Sequence, residues 1–377
     1  MKWQGFSCRA PHLPLPHGTA ISLAMPHRIR ASGLFWLLAA ALALAGCAPQ
    51  VVPLGDAALG YGLDAKAVAE VPRGEAPVPV APLAEPIPAP DGALLPHRVW
   101  RAEGGPPRAL LLALHGFNEH GGNFLLDSLG QLTAAGVEVH TYDQRGFGQA
   151  PSRGYWPGTE TMARDAAAAA AYLKARNPDV PLFLLGESMG AAVALLAETG
   201  EAPPPIDGLV LLAPAFWSRG AVGPVGVGVF WALAHSVPAL GFPAAAGGIS
   251  ASDNLDALRR NGRDPLVIKI TRIDAAWGLL DAMDRATQAL PRCCAVPVLI
   301  LQGAKDAVVP PGVTRAALRR MPPGPRLARY PEGFHLLLRD KVRGTVAADL
   351  LAWMADPRAP LPSGADRVGE AWLAAEQ

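Results

Sequence analysis

Charge and cysteine are both scarce in this chain, and each scarcity narrows what it can be. Only 17% of its 377 residues are charged while half are hydrophobic. That balance is too apolar for a disordered chain, and it suffices to bury a large core in one extended domain. No sustained basic run occurs. Residues 1–47 hold four of the 33 basic residues (Lys2, Arg9, Arg28 and Arg30) and no acid, leaving 29 basic against 32 acidic residues beyond them, a balance of −3. Nothing in that charge suits a nucleic acid. The four cysteines, at positions 8, 47, 293 and 294, make no disulfide framework. The adjacent pair Cys293 and Cys294 could bridge only through a strained ring and is expected as two idle thiols. No C-x-x-C and no His/Cys cluster has the spacing of a metal site, so neither a metal nor an organic cofactor is expected.

A long apolar run is also missing. The longest near the start, Gly33 to Ala45, is thirteen residues, too short to span a bilayer comfortably but suited to the apolar region of a signal peptide, with Arg28 and Arg30 before it. The run ends in Leu44-Ala45-Gly46-Cys47, which resembles the lipobox of bacterial lipoproteins. Cleavage before Cys47 and acylation of its sulfur would make Cys47 the first mature residue and hold the protein on a membrane, each buried CH₂ contributing about 0.8 kcal/mol. Ala48 after the cysteine resembles the outer-membrane sorting pattern, so the expected location is the bacterial envelope, on the outer membrane facing the periplasm. The first 24 residues, with Pro11, Pro14 and Pro16, do not resemble the start of a signal peptide, and Met25 is the expected start.

What is present beyond Cys47 falls into three parts. Residues 48–94 are rich in proline, alanine and valine, as in APVPVAPLAEPIPAPDG at 76–92. That density denies helix and sheet their donors and predicts a semi-extended tether. Residues 95–356 alternate strand and helix signals. Strands are expected at 97–102, 109–114, 137–142, 182–186, 208–213, 297–302 and 326–330. Helices are expected at 122–135, 160–176, 189–199, 276–290, 311–320 and 336–355. Several strands are near-continuous apolar runs, which predicts an α/β fold with a mostly parallel sheet and helices on both faces. About 80 residues between Pro214 and Ala295 separate two core strands, more than a connection needs, and predict an inserted cap over the sheet's carboxyl edge. Residues 357–377 read as a proline-bearing tail with a short terminal helix.

Chemistry concentrates at strand ends. PLFLLGESMGAA at 182–193 reads as strand, sharp turn and helix around the G-x-S-x-G pentapeptide Gly186-Glu187-Ser188-Met189-Gly190, the arrangement that lifts a serine oxygen clear of a sheet. Ser188 is the candidate nucleophile. Asp306 follows the strand PVLILQ and is the candidate acid; His335, in YPEGFHLLL before an apolar helix, is the candidate base. The chain order Ser188, Asp306, His335 and their strand-to-helix junctions are those of an α/β-hydrolase. The backbone N–H groups of Met189, at a helix N-terminus, and of Phe117, in the loop after ALLLAL, are the candidate oxyanion donors.

These segments together carry a resemblance. HGFNEHGGNF at 115–124, YDQRGFGQAPSRGYWPG at 142–158, GESMGA at 186–191, NGRDPLV at 261–267, QGAKDAVVP at 302–310 and EGFHLLLRD at 332–340 resemble the monoacylglycerol lipase and lysophospholipase family of serine hydrolases, which is serine aminopeptidase S33-like. The likeness spans approximately residues 95–355 and implies an α/β-hydrolase fold, an apolar cap and hydrolysis of single-chain acyl esters such as monoacylglycerol or lysophospholipid. By matching position it assigns Ser188, Asp306 and His335 to the triad and Phe117 and Met189 to the oxyanion hole. Glu119, His120, Asp143 and Arg145 are expected to brace loops. A transacylase or short-chain carboxylesterase would use the same machinery, and a non-catalytic envelope lipoprotein could keep the fold. A peptidase would want an acidic cluster for an α-amine, and none is evident in the sequence.

Overall fold

In the computed structural model, residues 82–243 and 250–375 are described. The expected signal peptide, the expected start at Met25, Cys47 and most of the expected tether lie outside them. The strands are β1 (Ile87–Pro88), β2 (Leu94–Leu95), β3 (His97–Trp100), β4 (Ala109–Leu114), β5 (Val137–Tyr142), β6 (Leu182–Glu187), β7 (Gly208–Leu212), β8 (Gly241–Pro243), β9 (Ile270–Arg272), β10 (Val298–Gly303) and β11 (Arg326–Tyr330). Seven of them form the central sheet in the order β11-β10-β7-β6-β4-β5-β3. Every neighbour pair in it is parallel except β3 with β5. β6 is paired with β4 on one side and β7 on the other, with Leu112 opposite Leu184 and Leu185 opposite Val210.

The apolar runs ALLLAL, LFLLGE and VLILQG are buried at every position because alternate side chains point to opposite faces and helices cover both. On one face Leu110, Leu112, Leu184, Leu209 and Ile300 share a core with α2 (Thr159–Arg176), α3 (Met189–Glu198) and α7 (Ile273–Ala289). On the other, Leu111, Phe183, Leu185, Val210 and Leu301 meet α1 (Leu129–Ala134), α9 (Arg343–Ala355) and α10 (Ala365–Ala374). Alanines fill the inner stripe of α2 (Ala166, Ala169 and Ala170, all fully buried), which lets that helix lie close to the sheet. The remaining helices are α4 (Arg219–Val222), α5 (Pro224–Ser236) and α6 (Leu255–Arg263), in the cap interval, and α8 (Pro311–Leu318).

Several expectations need correction. The tether does not run to Leu94: β1 and β2 pair as a hairpin, Ile87 and Leu95 are fully buried, and Asp91 bonds Arg145 through both carboxylate oxygens. Two apolar side chains with a core to enter outweigh the prolines around them. The helix expected from 122 begins at Leu129, and the one expected from 336 begins at Arg343; both leading segments are turns. The glycine-rich stretch after Gly223 forms α5 despite Gly226 and Gly228, with Pro224 in the first turn where its missing N–H costs nothing. α7, read from the sequence as part of the cap, belongs to the body, where Gly278 gives the Trp156 ring its seat. The C-terminal tail is docked: Gly369 of α10 packs on the Leu327 carbonyl of β11, where a Cβ would stand 2.2 Å from the oxygen. Cys293 and Cys294 are joined to each other instead of remaining separate thiols. No helix among the described residues is long and apolar enough to cross a membrane.

Candidate active site

The turn after β6 is built by exclusion of side chains. A Cβ on Gly186 would stand 2.2 Å from the Gly190 carbonyl oxygen, and one on Gly190 would stand 2.4 Å from that of Leu114. Both obstacles are backbone, so neither position can carry a larger residue while α3 crosses β6 and β4 this closely. Between them Ser188 sits at φ 55°, ψ −112°, a conformation that costs a non-glycine residue roughly 1–3 kcal/mol. Hydrogen bonds hold it there. Its N–H donates to the Leu212 carbonyl (2.9 Å), and its own carbonyl accepts from Ala191 (3.1 Å), Ala192 (3.3 Å) and Ala215 (3.2 Å). The serine is half-buried at the strand's carboxyl end.

Asp306 lies in the loop after β10. Its Oδ1 accepts the N–H groups of Val308 and Val309, each at 2.9 Å, and its Oδ2 is 2.8 Å from Nδ1 of His335. With Nδ1–H donating to the carboxylate, Nε2 is the ring atom left to accept a proton. The His335 loop is pinned from the cap interval, since the N–H groups of His335 and Leu336 both donate to the Ala251 carbonyl. A Cβ at Gly303 would be 2.1 Å from the Phe334 carbonyl oxygen, so a glycine ends β10 where the histidine loop passes. Burial opposes an imidazolium at His335, but the Asp306 hydrogen bond and charge, with Glu187 and Glu119 beyond, outweigh it and hold the pKa above the ordinary 6.5.

The loop after β4 reaches the serine: a Cβ on Gly116 would lie 3.6 Å from that of Ser188. Met189 opens α3, where the first N–H groups have no intrahelical acceptor. Phe117 packs edge-on to Phe147 at 5.5 Å and beside Trp156 at 6.4 Å. His115 braces the loop as a neutral ring. Its Nε2 accepts from the Gln144 N–H (3.0 Å) and its Nδ1 donates to the Gly116 carbonyl (2.8 Å), while burial pulls its pKa down to about 4. Asn118, at φ 66°, donates to Thr271 Oγ1 (2.8 Å) and accepts from the Ile268 N–H (2.9 Å). His120 takes Gly122 N–H on Nδ1 and gives its Nε2–H to Asp264 (2.8 Å). The segment NGRDPLV is thereby bonded to the loop that carries Phe117. Asp143 and Arg145 brace as expected: Asp143 accepts from Arg98, Gly121 and Gln149, and Arg145 bridges Asp165 and Asp91.

Two buried residues escaped the sequence reading. Glu187 occupies the variable position before Ser188, and Arg339 lies four residues after His335. Arg339 donates to both oxygens of Glu119, at 2.5 and 3.0 Å, and to Glu187. Glu119 and Glu187 do form an acidic pair, but a guanidinium already occupies it. The available signal was a charged residue in each of two otherwise apolar segments, LFLLGE and FHLLLR. Among the described residues no group of three or more His, Cys, Asp or Glu could hold a metal ion.

The sequence pattern of the family described as serine aminopeptidase, S33, matches residues 105–342. The monoglyceride lipase of Rattus norvegicus is 28% identical over 275 residues, covering 70% of this chain and 88% of that protein. The monoglyceride lipase of Homo sapiens is 32% identical over 228 residues, covering 57% and 71%. Among solved structures, a soluble variant of monoglyceride lipase from Saccharomyces cerevisiae, in complex with a substrate analog, superposes with a TM-score of 0.58 at 21% identity, over 73% of this chain and 95% of that one. At that identity the superposition speaks for the fold.

The His335 geometry sets a measurable quantity. Its imidazole should titrate above 6.5 by NMR, and Asp306→Asn, which keeps the shape but removes the charge, should bring it down. A wild-type value at or below 6.5 contradicts the arrangement.

Proposed function

The chain belongs to the serine aminopeptidase S33 family of α/β-hydrolases and is a serine ester hydrolase, and we propose that it cleaves single-chain lipid esters, monoacylglycerol or lysophospholipid, by a Ser188–His335–Asp306 acyl-transfer mechanism. The observation that carries the reading is the hydrogen bond between Asp306 and His335 Nδ1, which leaves Nε2 free, on the same sheet edge as a serine presented on a strained elbow. In this mechanism Ser188 Oγ attacks the ester carbonyl as His335 Nε2 takes its proton. The imidazolium returns that proton to the leaving alcohol, and water repeats the attack on the acyl-enzyme. Asp306 stays ionised and fixes the tautomer. The N–H groups of Phe117 and Met189 take the oxyanion; such a donor is typically worth about 10²- to 10³-fold in rate.

Lipid substrates are favoured by the exposed apolar surface of the cap interval and by the relatives. Val225, Val229, Trp231, Leu233, Leu240 and Phe242, in and after α5, are all exposed, an arrangement that suits contact with acyl chains more than with water. The rat and human relatives carry the name monoglyceride lipase. An aminopeptidase reading needs a carboxylate to receive an α-amine, and Glu119 and Glu187 are buried and committed to Arg339. Acylation of Cys47 belongs to the same proposal. It would hold the domain at an outer membrane through the 34 residues from 48 to 81.

Hydrolysis rates across p-nitrophenyl esters of rising chain length, with monoacylglycerol and lysophospholipid alongside, test the substrate class. Rates should favour long acyl groups, and Ser188→Ala should remain folded while losing on the order of 10⁶-fold in kcat and all fluorophosphonate labelling. A sharp preference for acyl groups of about two to four carbons, the range that would need no apolar cap, contradicts the lipid reading, and an active Ser188→Ala contradicts the mechanism. For the anchor, Cys47→Ala should abolish incorporation of labelled palmitate and release the protein from the membrane pellet; retained label at another site refutes it.

A further inference from the structure

Three segments that the mechanism needs in register, two loops and the end of β6, each contribute one member to a single buried ionic cluster. Glu119 comes from the oxyanion loop, two residues after Phe117. Glu187 directly precedes Ser188, and Arg339 stands one helical turn's distance in sequence after His335. All three are at least nine-tenths buried. The guanidinium grips both oxygens of Glu119 and one of Glu187, and Glu119 Oε2 stands 3.2 Å from where a Cβ on Gly116 would be, against the backbone of the oxyanion loop. We propose that Arg339 is a positioning residue for acyl transfer, locking the oxyanion loop, the nucleophile elbow and the histidine loop into one relative arrangement through Glu119 and Glu187.

The inference rests on the serine-hydrolase reading above and adds to it. A buried ion cluster is weak evidence for stability, because apolar replacements of similar volume often do as well. What it does offer is directional geometry: a planar fork satisfied by two carboxylates fixes their positions in a way that apolar packing does not. Glu187 is the last residue of β6, and the cluster ties that strand end to the loops that carry Phe117 and His335. Charge is consistent with this role. Two carboxylates on one guanidinium leave a surplus negative charge, and burial, with the charge of Glu119 against the opposing pull of Arg339, pushes the Glu187 carboxyl up to about 8. Burial disfavours the ionised form of Glu119, but Arg339 overrides it and keeps that carboxyl low. The other groups that face the cluster are His335 beside Glu187, His115 beside Glu119, and Asp127 beside Arg339.

The test is a graded series on the full chain: Arg339→Lys, Arg339→Met, Glu119→Gln and the double variant Glu119→Gln/Arg339→Met, with near-UV circular dichroism and thermal melting run in parallel. Arg339→Lys keeps the charge and loses the fork. Its kcat on a p-nitrophenyl ester should fall about 10- to 100-fold with KM changed less than about threefold, the signature of misplaced catalytic groups. Arg339→Met should fall further, and the double variant should be no slower than the slower single, because both changes break one clamp. A wild-type kcat in folded Arg339→Lys, or losses that simply multiply in the double variant, overturns the proposal. A lowered melting temperature with unchanged kcat overturns it too, since that is a stability role alone. If the wild-type protein itself neither hydrolyses esters nor takes a fluorophosphonate label, the underlying serine-hydrolase reading fails instead, which separates the two.

Discussion

A helix crosses a sheet here with no room for a side chain. The Gly190 Cα of α3 lies against the Leu114 carbonyl of β4, and the Gly186 Cα of β6 lies against the Gly190 carbonyl. That double approach forces the intervening residue into a left-handed backbone and so aims the Ser188 side chain away from the sheet. Everything that completes the site is arranged around this point. β4 on one flank supplies the loop with Phe117, while β7, β10 and β11 on the other supply the Ser188 hydrogen bond, Asp306 and the loop with His335. The strain at Ser188, of order 1–3 kcal/mol, is offset by a core of leucine, valine and alanine on both faces of the same strands.

The cap is tied to the chemistry by hydrogen bonds as well as by position. Asp264 and Thr271 bond the loop after β4 at His120 and Asn118, and Ala251 bonds the loop that carries His335. A rearrangement of the cap would be felt at both. The outer part of the cap differs in kind: along α5 only Ala234 is buried, Phe230 packs edge-on to Trp277, and Val225, Val229, Trp231 and Leu233 are exposed. One interval thus has an apolar, exposed first half and a second half hydrogen-bonded to the loops that carry Phe117 and His335.

Much of this was legible in the sequence because each signal was local. Continuous runs such as ALLLAL and LFLLGE declare strands covered on both faces, and the central sheet follows from their alternation with helical segments. Ser188, Asp306 and His335 could be singled out as candidates because glycine-bracketed turns and strand ends are written in adjacent residues, and the structure pairs Asp306 with His335. What escaped depends on partners distant in sequence. The pairing of Glu187 with Arg339 joins residues 152 apart, and each alone reads as a surface charge. The hairpin at 87–95 was hidden under prolines because Ile87 has value only once a core exists to receive it. The docking of α10 turns on one glycine, Gly369, whose role appears only beside the Leu327 carbonyl.

The central claim is that Ser188, His335 and the two backbone donors act on one carbonyl. A crystal structure of the protein inhibited by a long-chain alkyl fluorophosphonate tests it most directly. The phosphorus should be bonded to Ser188 Oγ, its oxygen should lie about 2.7–3.1 Å from the N–H groups of both Phe117 and Met189, and His335 Nε2 should face the serine oxygen. An adduct on another residue, or a phosphoryl oxygen turned away from both donors, would contradict the account.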